Sequence, residues 1–69
     1  MKNKIRLLRK EQKFRQEDLA AMLGVTRQTI NAIENDKYDP TLQLAFNLAK
    51  ILGTTVDGLF EPNPGPRSF

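Results

Sequence analysis

Arg27, Gln28 and Asn31 carry the donor and acceptor groups needed to read the edges of DNA bases. An Arg guanidinium can make two parallel bonds to guanine O6 and N7, and a Gln or Asn amide can do the same with adenine. A good bidentate pair of this kind is worth roughly 1–3 kcal/mol of discrimination. At helical spacing the three side chains fall on one polar face near the start of a short helix, and Thr29 beside them can add a methyl contact to thymine. Each alone is also what any exposed helix face shows. Catalysis has little to draw on. The chain contains neither His nor Cys, which removes the commonest general base and the thiolate nucleophile. Its carboxylates are spread over helices and loops, so no enzyme, metal site or cofactor is expected.

The elements that must hold this polar face are written into QEDLAAMLGVTRQTINAIE, residues 16–34. Leu19 and Leu23 lie one helical turn apart, as do Ile30 and Ile33, which predicts two short amphipathic helices over about 16–23 and 27–34. Gly24 between them stops the first helix where a positive φ is cheap. Thr26 can cap the second through its hydroxyl. Ala20 is small where the two helices cross. In this order and spacing these features predict a helix-turn-helix.

Size and charge bound the rest. Sixty-nine residues allow one domain, and a chain this short buries only roughly 60% of its unfolded surface. The core must come from helix packing, which a second subunit can complete. The net charge is +3 and it is unevenly placed. Lys2, Lys4, Arg6, Arg9, Lys10, Lys13 and Arg15 precede residue 16 against one acid, Glu11. That balance suits a polyanionic partner, although a solvated helix face would read the same. No apolar run approaches the ~18 residues needed to span a bilayer, and the N-terminus has no uninterrupted apolar stretch of the kind a signal peptide carries. A cytoplasmic location is the expectation.

The remaining pattern predicts an all-α, five-helix domain over residues 1–60 and a Pro-rich tail over 61–69. Helix one spans about 4–12 with Asn3 as its cap, and turns its Ile5 and Leu8 inward, with Leu7 off that face. Phe14 plugs the core after it. Thr41 caps helix four, Gly53 ends it after Leu52, and Thr55 caps a short helix five through Phe60. The tail EPNPGPRSF cannot build a helix. It is expected to be extended or disordered, or else to lay Phe69 over an apolar patch. Helix four is apolar on two sides. Leu42, Ala45, Phe46, Leu48, Ala49 and Leu52 share a broad face, while Leu44 and Ile51 project from nearly the opposite one. Scattered exposed aliphatics are normal, but a second buried surface is the favoured explanation: a homodimer interface built from Leu44, Ile51, helix five and Leu7.

With these residues in place, the chain resembles the phage repressor and Cro family of helix-turn-helix regulators, the XRE family, in its compact stand-alone form. The likeness runs over about residues 3–60. It is carried by Ile5-Arg6-Leu7-Leu8-Arg9, Gln16 with Leu19-Ala20, Gly24-Val25-Thr26-Arg27-Gln28-Thr29-Ile30, Ile33-Glu34-Asn35 and Pro40-Thr41. The resemblance implies a lambda-repressor-like domain that binds operator DNA as a dimer, with helix three as recognition helix. Arg27, Gln28, Asn31 and Thr29 then become base contacts. Gln16, at a position that in the family reaches the DNA backbone, becomes a phosphate contact together with Thr26, Asn35, Lys37, Tyr38 and Arg15. Such contacts position the protein without reading sequence. Arg9 and Glu34 are implied to form a partly buried ion pair holding helix one to helix three. Three positions depart from the family. Arg15 stands where Ser or Thr usually caps helix two, and Lys13 and Asp36 stand where Gly is frequent, at turns that favour positive φ.

The expected function is therefore sequence-specific binding of double-stranded DNA by a transcriptional regulator, a repressor acting as a homodimer on a palindromic operator. The alternative is an antitoxin-type module that binds another protein as well as DNA. Neither requires a cofactor, a small-molecule ligand or a membrane.

Overall fold

A computed structural model describes residues 2–61. The elements run β1 (Lys2–Asn3), α1 (Ile5–Glu11), α2 (Gln16–Leu23), α3 (Arg27–Glu34), α4 (Leu42–Leu52), α5 (Val56–Leu59) and β2 (Phe60–Glu61). The five helices follow the order the sequence predicts, and α2, α3 and α4 match the predicted spans.

Local chemistry accounts for the helix boundaries. The hydroxyls of Thr26, Thr41 and Thr55 accept the backbone N–H of Thr29, Leu44 and Gly58 at 3.2, 3.2 and 3.1 Å, each capping the helix that follows. Helix α2 starts differently. A guanidinium has no acceptor to offer, so Arg15 caps nothing with its side chain. The Asp18 carboxylate instead accepts the Arg15 N–H at 2.9 Å, and Glu17 and Asp18 complement the helix dipole. Four helices end alike, on a residue in the left-handed region followed by an N–H that bonds back to the last turn. Gly24 and Gly53 serve α2 and α4 with φ of 70° and 75°, and Lys13 and Asp36 do the same after α1 and α3 with φ of 61° and 60°. The returning bonds run from Phe14 N–H to the Arg9 carbonyl and from Lys37 N–H to that of Ala32, both at 2.9 Å.

The ends of the described chain differ from expectation. Lys4, not Asn3, occupies the cap position of α1, and the helix begins at Ile5. Asn3 is drawn into a longer-range role: its Oδ1 accepts the Ile5 N–H at 3.1 Å, while its Nδ2 donates to the Ile33 carbonyl at 2.8 Å. Helix α5 stops at Leu59, because Phe60 turns extended and pairs with Asn3, as Glu61 does with Lys2, in an antiparallel two-stranded clasp. Periodicity cannot reveal two-residue strands. The pairing thus runs to Glu61, the last described residue. The expected behaviour of the tail, including the placement of Phe69, lies outside the described residues.

Ile5, Leu19, Ile30, Ile33, Leu48 and Leu59 are fully buried, with Ala20, Ala45, Ala49, Leu52 and Phe60 around them. Leu8, Phe14 and Val56 are half-buried against this core. Helix α4 is rolled relative to the predicted face. Leu42 and Phe46, placed inward by the pattern, are 68% and 55% exposed. Leu44 and Ile51, placed outward, are half-buried against the core. A helical wheel locates the centre of an apolar arc only to within its width, and contact with α1, α2 and α5 chose the Leu44 side.

Candidate nucleic-acid interface

Helices α2 and α3 meet through Leu19, Ala20, Ile30 and Ile33, leaving the outer face of α3 clear. Arg27, Gln28 and Asn31 are exposed there. Together with Gln16, which opens α2, they line one open depression of about 410 Å³. The polar face predicted for α3 and the start of α2 are therefore one surface.

Within it, hydrogen-bond direction sets orientation. The Glu34 carboxylate can only accept, so Gln16 turns its Nε2 inward to donate to Glu34 Oε1 at 3.1 Å. The Gln16 oxygen then faces outward and accepts from Arg27 Nε at 3.4 Å. Gln16, expected as a phosphate contact, has its side chain engaged as a brace between the buried carboxylate and Arg27. Thr29 is half-buried, and its hydroxyl lies 3.0 Å from that of the capping Thr26. Asn35 is exposed. Its Nδ2 donates to both the carbonyl and Oδ1 of Asn31, at 2.9 and 3.3 Å. Arg15, Lys37 and Tyr38 are exposed.

Beneath this face, Glu34 gathers four donors. Arg9 Nε and Nη2 reach its two oxygens at 2.6 and 3.2 Å, a bidentate pair, and Arg9 Nη1 also donates to the Phe14 carbonyl at 3.0 Å. Gln16 is the third donor, and Arg6 Nε, at 3.4 Å, is the fourth. The Glu34 side chain is wholly buried. Burial pushes its carboxyl pKa up, but hydrogen bonds from Arg9, Gln16 and Arg6 and the charge of Arg9 outweigh it, so the group titrates below its ordinary 4.5. Among the described residues no buried polar side-chain atom lacks a partner.

Arg6 is the member that the sequence reading did not assign to a site. It sits one turn before Arg9 on α1, so helical spacing alone could have placed both beside α3. Of the residues expected at a dimer contact, Leu7 is 57% exposed on α1, while Leu44 and Ile51 lie half-buried on α4. No helix among the described residues is long and apolar enough to cross a membrane.

Comparison with known proteins agrees with this geometry. The sequence pattern of the family described as Helix-turn-helix matches residues 5–59. An uncharacterised HTH-type transcriptional regulator from Methanocaldococcus jannaschii is 53% identical over 60 residues, covering 87% of this chain and 91% of its own. A second such regulator, from Bacillus subtilis, is 42% identical over 60 residues with the same coverages, 87% and 91%. Among solved structures, the DNA-binding domain of the P22 c2 repressor superposes with a TM-score of 0.72 at 34% identity, over 77% of this chain and 70% of that one. Hydroxypropylphosphonic acid epoxidase from S. wedmorenis superposes with a TM-score of 0.75 at 32% identity, over 84% of this chain. The chain spans only 31% of that enzyme's length, however. The likeness there is to one portion of a larger protein. The matched family pattern, the two regulators and the repressor fold place this chain in the phage-repressor and Cro-like (XRE) family of helix-turn-helix proteins.

Proposed function

We propose that this protein is a transcriptional regulator that binds double-stranded DNA sequence-specifically, and that it represses by occupying a near-palindromic operator as a homodimer. The observation that carries the reading is the open face where Arg27, Gln28 and Asn31 stand together beside the start of α2. A helix of this size fits the major groove, where guanidinium and amide groups meet base edges with matched donors and acceptors. Arg27 and Gln28 are the principal base contacts, with Asn31 next and Thr29 contributing through its methyl group. Arg15, Thr26, Asn35, Lys37 and Tyr38 border this face and are assigned to the sugar-phosphate backbone, with Gln16 joining them through its main-chain N–H at the start of α2.

The homodimer reading draws on the apolar margins of α4 and on α5. Leu44 and Ile51 retain part of their surface, Leu7 is exposed, and the rolled helix adds Leu42 and Phe46. A depression of about 440 Å³ beside Phe46, bordered by Val56, gives a partner side chain somewhere to pack.

Selection of bound sequences from a random duplex pool, followed by footprinting, tests the function. The expected result is an inverted repeat protected by the wild-type protein and lost by Gln28→Ala. Binding that never rises above that to random duplex, even at low salt, would sink the proposal.

A further inference from the structure

Beside the recognition face lies a second open depression, about 460 Å³, lined by Asn3, Lys4, Arg6, Leu7, Lys10 and Glu34. Three of these residues are cationic, and the lone carboxylate among them, Glu34, is buried and already held bidentately by Arg9. Charge balance at Glu34 therefore does not require Arg6. The Arg6 contact is the longest of the four that Glu34 accepts, at 3.4 Å, and the Arg6 side chain is 53% exposed. A guanidinium carries five N–H donors. Arg6 uses Nε toward Glu34 and Nη2 toward Asn35 Oδ1, the latter at 3.0 Å. Asn35, the residue assigned to a phosphate at this end of α3, spends its Nδ2 group on Asn31. At the C-terminal end of the recognition helix Arg6 thus joins Lys37 as an exposed, charged donor.

We infer that Arg6, flanked by Lys4 at the cap of α1 and by Lys10 within it, is a DNA-binding residue that takes a phosphodiester oxygen of the strand leaving the recognition helix. The inference rests on the DNA-binding reading above and extends the interface from the helix-turn-helix to α1. The Arg6–Glu34 contact is long and exposed at its Arg6 end, so exchanging it for a phosphate is a small rearrangement, and Arg suits that anion through its fork of donors. The contact positions the protein and reads no base.

Salt-dependent binding of the full chain to a selected duplex and to a random duplex tests this. Each phosphate neutralised contributes about 0.9 to the slope of log affinity against log salt. Arg6→Gln is expected to flatten the slope by about 0.9 per bound subunit, about 1.8 for the dimer, on both duplexes while leaving the selected sequence unchanged. Arg6→Lys should restore the slope, and Lys50→Gln, which removes the same charge from α4, should leave it unaltered. In the wild-type protein, the Arg6 Nε–H resonance should shift on titration with duplex, a readout that does not depend on any variant folding. An unchanged slope in folded Arg6→Gln, an equal change in Lys50→Gln, or a silent Arg6 resonance would overturn the inference and leave the recognition face standing. Wild-type protein that binds no duplex would overturn the DNA-binding reading itself, and this inference with it.

Discussion

Truncating Arg9 to Met would leave the buried Glu34 carboxylate without its two bonds from that guanidinium. Breaking a buried pair from one side costs about 3–5 kcal/mol. At roughly 0.05–0.15 kcal/mol of net stability per residue, that loss rivals the whole stability of so short a chain. Arg9→Met is therefore expected to be largely unfolded at room temperature by circular dichroism. Because Glu34 titrates below 4.5 in the folded state, its contribution is present in full above that pH and is lost as pH falls through the depressed folded value. Denaturant midpoints measured from pH 7 to pH 3 should fall at the acid end, and Glu34→Gln should flatten that fall while lowering stability at neutral pH. Gln28→Ala belongs to the other class. Gln28 is exposed, so its loss should leave the melting temperature unchanged and relax one operator position by about 1–3 kcal/mol. The residue types of Arg27, Gln28 and Asn31 are sufficient to suggest base reading. The orientation of Gln16 is not, because it depends on a carboxylate eighteen positions away.

The helix boundaries show where local chemistry is sufficient. Three threonines and two glycines start and stop elements where their types predict, since a cap or a left-handed stop acts within four residues. Thr26→Ala should cost about 1 kcal/mol for the lost cap of α3, measured as a drop in denaturant midpoint with an unchanged slope. Lys13 and Asp36 are less visible. Neither residue type announces a positive φ, and the sequence pointed to those turns only through the glycine usual there in the family. A left-handed conformation costs an L-residue roughly 1–2 kcal/mol, and glycine gives back about 0.5–1 through its own entropy. Lys13→Gly is therefore expected to stabilise by about 0.5–1 kcal/mol on that balance. Asp36→Gly should gain less, because Asp tolerates the conformation better. A destabilised Lys13→Gly in chemical denaturation would contradict this account.

At the scale of the molecule, the pairing of subunits turns on the apolar margin of α4. Phe46→Glu places a charge on the exposed α4 margin without disturbing the core, so it should leave the fold intact and shift a sedimenting dimer to monomer. Two half-sites should lie about 34 Å apart, one turn of DNA, and the monomeric variant should protect one half-site only weakly. The order of five helices, the Thr26, Thr41 and Thr55 caps, the Gly24 and Gly53 stops, and the polar face of α3 were determined by sequence alone, because each follows from residue types within a turn or two of one another. Tertiary structure alone decided the clasp of Lys2–Asn3 with Phe60–Glu61, the roll of α4 toward Leu44 and Ile51, and the convergence of Arg6, Arg9 and Gln16 on Glu34. The clasp and the Glu34 cluster join residues eighteen or more positions apart, and the roll of α4 is set by packing on α1 and α2 as well as on the nearby α5, so no local preference specifies which partners will meet until the core has packed.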